Sequence, residues 1–100
     1  MLHDSNIMNM SVTDLKGLSI DRLKAFCAVV EYGSLIRAAD GDPNRQSQIS
    51  RQIKELEDAL DVRLFERVNR RLVPTALGRE LAMLTTVFFA NIADIAERDH

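Results

Sequence analysis

The residues best equipped for chemistry lie between Arg45 and Gly78, in the run RQSQISRQIKELEDALDVRLFERVNRRLVPTALG. Ser47, Arg51 and Lys54 recur at spacings of 4 and 3, which at ~100° per residue lines them along one side of a helix. Gln48 and Ser50 flank them, and Arg45 and Gln46 precede them. These side chains carry the donors and acceptors that match base edges, Arg above all, because its planar fork bridges guanine or phosphate in bidentate fashion. After the helix comes ERVNRRLVPT, a basic hairpin in composition, with Asn69-Arg70 as its tight turn. A polar-basic helix beside a basic β-wing suits insertion of one element into a DNA major groove and the other into the flanking minor groove. The residues alone therefore point to a sequence-specific DNA-binding module.

Other elements must hold that pair in place. Ser19 is a candidate cap for a first helix in which Ile20, Leu23, Phe26, Cys27 and Val30 recur at helical spacing. Gly33 ends it, since glycine takes a left-handed backbone without a Cβ clash. Ser34 caps a short second helix, expected over Leu35 to Asp40, which stops at Gly41. Asp42 as cap and Pro43 at the first helical position start the third helix. That helix is expected to reach Leu60, with Ile49, Ile53, Leu56 and Leu60 on its inner stripe. Leu64 and Phe65 are apolar anchors for the hairpin, and Thr75 caps a last helix. Along it Leu77, Leu81, Leu84, Phe88, Ile92 and Ile95 form a seam at spacings of 4, 3, 4, 4 and 3. One helix of a small domain cannot bury that seam together with Val87 and Phe89. The helix should pack partly on the first helix and partly on a second chain.

Composition sets the class. One hundred residues, 46% of them apolar, suffice for one small core. A single cysteine excludes an intrachain disulfide and fits a reducing cytoplasm. The N-terminal MLHDSNIMNMSVTD has no apolar run and is not a secretory signal. The longest uncharged apolar window, Leu81 to Ala93, is 13 residues, too short for a membrane span. A net charge of −2 appears wrong for a DNA binder until its distribution is drawn. Residues 1–43 hold four Lys/Arg against six Asp/Glu, residues 44–79 eight against five, and residues 80–100 one against four. The middle segment is a positive stripe between acidic flanks, and local potential is what draws phosphates.

Each reading has a plainer counterpart. A helix face of Gln, Ser, Arg and Lys is ordinarily a solvated surface; the basic hairpin and the preceding short helix at the right offset reverse that. Arg63 divides evenly between solvating the hairpin base and joining the interface. Cys27 lies on an apolar stripe and reads as a packed thiol rather than a nucleophile. Glu55, Glu57 and Asp58 read as a solvated helix surface. His3 and His100 sit at opposite ends, and no Ser/His/Asp set, Cys/His cluster or Gly-rich phosphate loop is present. No enzyme, metal or cofactor is expected, nor a small-molecule site within this chain.

From Ile20 to about Arg98 the chain resembles the N-terminal winged helix-turn-helix and linker helix of LysR-type transcriptional regulators. The matching phrases are LKAFCAVVEYGSLIRAA, QISRQIKELEDALDVRLFERVNRR and PTALGREL. The implied fold is mainly α: three helices and a short two-stranded β wing, then a long linker and dimerisation helix. The expected boundaries are a flexible tail over 1–18, the winged domain over 19–74 and the linker helix over 75–98. The resemblance places Gln46 against a base edge and has Ser50 and Arg51 face the groove. It gives Ser34 and Arg37 phosphate contacts, puts Arg70 at the minor-groove tip, and makes Arg67 and Arg71 its phosphate partners. Arg45, Ser47, Gln48 and Lys54 complete the expected DNA face. The seam of the last helix, Leu77 to Ile95, would join two copies.

Two departures stand out. The family has apolar residues where this chain has Asp42 and Asn44, and its common Ser-Gln-Pro-Ala becomes Arg45-Gln46-Ser47-Gln48. Base preference therefore does not carry over. Full members also continue into an effector-sensing domain, so the chain is either the DNA-binding part of a longer regulator or a short paralogue. The leading expectation is a cytoplasmic homodimer on an inverted-repeat site of double-stranded DNA. The alternative is an interaction protein that heterodimerises with full-length regulators through the linker helix.

Overall fold

The computed structural model describes residues 17–98, in the order α1 (Ile20–Tyr32), α2 (Leu35–Ala38), α3 (Pro43–Leu60), β1 (Phe65–Val68), β2 (Arg71–Pro74) and α4 (Ala76–Arg98). Local chemistry sets most of these limits. The Ser19 hydroxyl accepts from the Arg22 N–H at 3.1 Å, and Gly33, at φ 76°, closes α1 with its N–H on the Val29 carbonyl. Asp42 caps α3 by accepting from the Asn44 and Arg45 N–H groups at 3.0 and 3.5 Å, with Pro43 at the first position. Helix α3 ends at Asp61, as left-handed as a cap glycine at φ 55°. Helix α2 is shorter than expected: it ends at Ala38, because Asp40 and Gly41 turn left-handed at φ 54° and 77°.

The two strands pair antiparallel, Phe65 opposite Pro74 and Val68 opposite Arg71. Their connection is the two-residue turn Asn69-Arg70, both residues at positive φ (53° and 68°). That is the primed geometry whose twist suits a hairpin.

The core gathers Phe26 and Val29 of α1, Ile49, Ile53 and Leu56 of α3, and Leu64 and Phe65 at the hairpin base. Phe26, Val29, Leu56 and Leu64 are fully buried, each contributing about 1.5–3 kcal/mol. The rings of Phe26 and Phe65 meet edge to face, centroids 5.4 Å apart, which ties the hairpin to α1.

Of the acids expected on a solvated surface, Glu57 is structural instead, while Glu55 stays exposed in an ion pair. The Glu57 carboxylate accepts from the backbone N–H groups of Leu64 and Phe65 at 2.7 and 3.3 Å, joining α3 to the start of the wing. Glu55 takes the Arg22 guanidinium at 3.2 Å, and Arg22 also donates to the Gly17 carbonyl at 3.2 Å. Asp58 alone of the three is exposed without such a partner among the described residues.

The tail expected over 1–18 is packed at its end. Gly17 abuts Ala59 so closely that a β-carbon would meet the Ala59 Cβ, and Leu18 packs on the core. Residues 1–16, His3 among them, and residues 99–100, with His100, lie outside the described residues.

Helix α4 seats on the body through small residues. Gly78, Ala82 and Thr85 are buried, and Leu81 packs against the core. Leu81, expected in the seam that faces a second chain, is partly buried against the chain's own core. Leu77, Leu84, Phe88, Ile92 and Ile95 stay 46–60% exposed, joined by Met83 and Val87. Cys27 is half-buried where α1 meets α4, and burial pushes its thiol pKa up against opposing hydrogen bonds from Thr86 and Thr85. A packed thiol was expected there.

Candidate nucleic-acid interface

Helix α3 carries the candidate site, and the way its neighbours pack divides its outer surface into a crest and two furrows. Ser47 and Arg51 stand on the crest, both exposed, one turn apart. On one side lies a furrow lined by Ser34 and Arg37 at the start of α2, Gln46 of α3, and Arg67, Arg70 and Arg71 of the wing. Tyr32 and Ile36, both large and exposed, share that furrow without having been anticipated. It continues along α3 into a hollow where Ser50 and Lys54 face Arg63, Glu66 and Arg67.

Arg45 and Gln48 lie on the other side. They line a furrow between α1 and α3 with Asp21, Lys24 and Gln52, floored by Ala25, Ala28, Ala38 and Ile49. The residues expected to face DNA thus lie on the crest of α3 and along both its flanks. Gln46 and Gln48, two residues apart and so ~200° around the axis, look to opposite flanks of the same helix.

The cations are available. Arg37, Arg45, Arg51, Lys54, Arg67, Arg70 and Arg71 are all exposed, and among the described residues none is in an ion pair; the pairs present are Arg22–Glu55 and Arg98–Asp94. Glu57, the acid nearest the wing base on α3, is occupied by backbone N–H groups. Ser34 differs from the rest: its hydroxyl oxygen accepts from the Arg37 N–H at 3.0 Å as the cap of α2. A capping hydroxyl still has its O–H to donate, so the cap and an anion contact are compatible.

The wing is held by its base. Thr75 donates its hydroxyl to the Arg63 carbonyl at 2.7 Å and accepts from the Gly78 N–H at 3.0 Å, while its own N–H reaches the Leu64 carbonyl at 2.9 Å. These bonds tie the two ends of the arginine-bearing hairpin together and to the start of α4. The Gly78 bond is the local cap expected of Thr75. Nothing in the local pattern signals the Arg63 and Leu64 partners of Thr75 or the Leu64 and Phe65 partners of Glu57, which are reached only after the chain folds back.

Residues 20–79 match the family model described as bacterial regulatory helix-turn-helix protein, lysR family. The chain belongs to that family. It is 41% identical over 66 residues to the HTH-type transcriptional regulator DgdR of Burkholderia cepacia, covering 66% of this chain and 22% of that protein. It is 38% identical over 84 residues to the HTH-type transcriptional regulator BbuR of Bordetella bronchiseptica, covering 84% and 26%. The chain thus spans about a quarter of the length of these curated relatives. Among solved structures it is similar to the BenM DNA-binding domain in complex with catB site 1 DNA, with a TM-score of 0.73 at 31% identity. That likeness covers 81% of this chain and 91% of the BenM domain. The same 81% overlays full-length BenM at a TM-score of 0.72, there 27% of the longer chain. The family fold is the one described above, a mostly helical domain with a two-stranded wing and a long C-terminal helix. The named relatives of this lysR-family chain are transcriptional regulators. Among the described residues no helix is long and apolar enough to cross a membrane.

Proposed function

We propose that this lysR-family domain binds double-stranded DNA sequence-specifically as a cytoplasmic, non-enzymatic transcriptional regulator. The observation that carries the proposal is the α3 crest of Ser47 and Arg51 beside the wing arginines, all exposed and without an acidic partner among the described residues. Helix α3 lies in the major groove. Gln46, Ser47, Ser50 and Arg51 meet base edges there, and Arg70 enters the adjacent minor groove from the turn. Ser34, Arg37, Arg67 and Arg71 hold phosphates and fix the register, with Lys54, Arg45 and Gln48 at the margins.

Two copies join through the exposed seam of α4, Leu77, Leu84, Phe88, Ile92 and Ile95. Two recognition helices then face an inverted-repeat site whose half-site centres lie roughly one turn, ~34 Å, or a multiple apart. The heterodimerising alternative has no observation of its own to favour it, since it needs the same seam and leaves the arginine face without a use.

Binding-site selection from random duplex DNA, followed by titration of two variants, tests this. Arg51→Ala should lose about 1–3 kcal/mol on the selected site and flatten its preference over competitors. Arg71→Ala should weaken all sequences alike and lower the salt slope by roughly one unit. Equal losses for Arg51→Ala on selected and random DNA would remove the base-reading role, and no enrichment at all would remove the proposal.

A further inference from the structure

A helix lying in a major groove has a phosphate backbone on each side, the groove being about 12 Å wide. The wing and the start of α2 supply cations on one flank of α3 only. On the opposite flank the furrow between α1 and α3 is rimmed by Lys24, Arg45, Gln48 and Gln52. Its floor is Ala25, Ala28 and Ala38 with Ile49, side chains too short to fill it. Lys24 and Arg45 are exposed and have no ion pair among the described residues. Asp21, one helical turn before Lys24, is the one acid on this rim.

We infer that this furrow seats the second phosphodiester strand, with Lys24 of α1 as a phosphate-binding residue and Asp21 as a repulsive neighbour that holds the contact below its full strength. The inference rests on the DNA-binding reading above and extends it from one edge of the groove to both. The occupant is a phosphate backbone rather than an apolar segment. The furrow presents two cations and two amide side chains at its rim, the donors that phosphate oxygens take, and its apolar floor is recessed beneath them. Lys24 suits the role as a compact point charge on a flexible stem, whereas bases are read from the crest. The domain would then straddle the groove, with arginines on the wing side and Lys24 and Arg45 on the α1 side.

The test uses the whole chain and the duplex selected from random DNA. Lys24→Gln should lower affinity about fivefold at 0.15 M salt and reduce the slope of log K against log [salt] by about 0.9 per protomer, on selected and random duplexes alike. Asp21→Asn should raise affinity on both. Ethylation interference should show phosphates whose modification blocks binding on both edges of the major groove, those on the edge away from the wing no longer interfering with Lys24→Gln. Unchanged affinity for either variant, or interference confined to the wing edge, would overturn the inference while leaving the DNA-binding reading intact. Failure of the unsubstituted chain to bind any duplex would overturn both.

Discussion

The Glu57 carboxylate of α3 accepts a 2.7 Å hydrogen bond from the backbone N–H of Leu64, seven residues on and across the turn into the wing. It also takes the Phe65 N–H at 3.3 Å. One side chain of α3 thus satisfies two backbone donors at the entry to β1 and ties the hairpin base to the helix.

Removing that acceptor should loosen the wing. Glu57→Ala leaves two partly buried N–H groups without their partner, at about 1–3 kcal/mol. Glu57→Gln keeps one amide oxygen as acceptor and should lose less. Urea unfolding of the three proteins ranks them; a Glu57→Ala midpoint equal to that of the unsubstituted chain would show that water replaces the carboxylate at no cost.

Gly78 is required by space. A β-carbon there would stand 2.2 Å from the Leu64 carbonyl oxygen and 3.1 Å from its carbon, both backbone atoms in the buried joint of wing and α4. Gly78→Ala removes a helix-weakening glycine, which favours it by roughly 0.8–1.0 kcal/mol. Displacing the joint costs more, since forced overpacking runs at about 1–3 kcal/mol. Thermal unfolding should show net destabilisation, and a raised midpoint would mean the joint gives way freely.

The wing tip separates stability from binding. Arg70 sits at φ 68° after Asn69 at φ 53°, a backbone that a non-glycine residue adopts at a cost of about 1–2 kcal/mol, which Asn bears best. Arg70→Gly creates an Asn-Gly turn and should leave the fold equally stable or firmer, while weakening DNA binding by loss of the tip cation. Paired unfolding and titration curves would show the two quantities moving apart. If both fall together, the arginine side chain is structural.

The exposed seam of α4 should govern assembly. Phe88 is 50% and Ile92 46% exposed, and every residue from Ala90 to Arg98 is exposed. Phe88→Glu with Ile92→Lys should leave the helical circular dichroism of the winged body intact and shift sedimentation from dimer to monomer. A monomeric unsubstituted chain would refute the seam's role.

The sequence by itself determined the elements whose causes are local. Ser19, Gly33, Asp42-Pro43 and Thr75 punctuate the helices through bonds within a few residues of themselves. The Ile49-Ile53-Leu56 stripe chose the buried side of α3, and so exposed Ser47 and Arg51. Arg67, Arg70 and Arg71 were legible because a turn between two short strands leaves its tip in solvent. Only the tertiary structure decided what borders each flank of α3: the wing and α2 beside Gln46, and α1 beside Arg45 and Gln48. It also turned Glu57 from a surface charge into a tie, and set Leu81 partly against the chain's own core. The division has one physical source. Caps and periodic stripes act over one or two helical turns, whereas a carboxylate's partner, or the small residue that admits a crossing backbone, depends on segments that meet only once the core has closed.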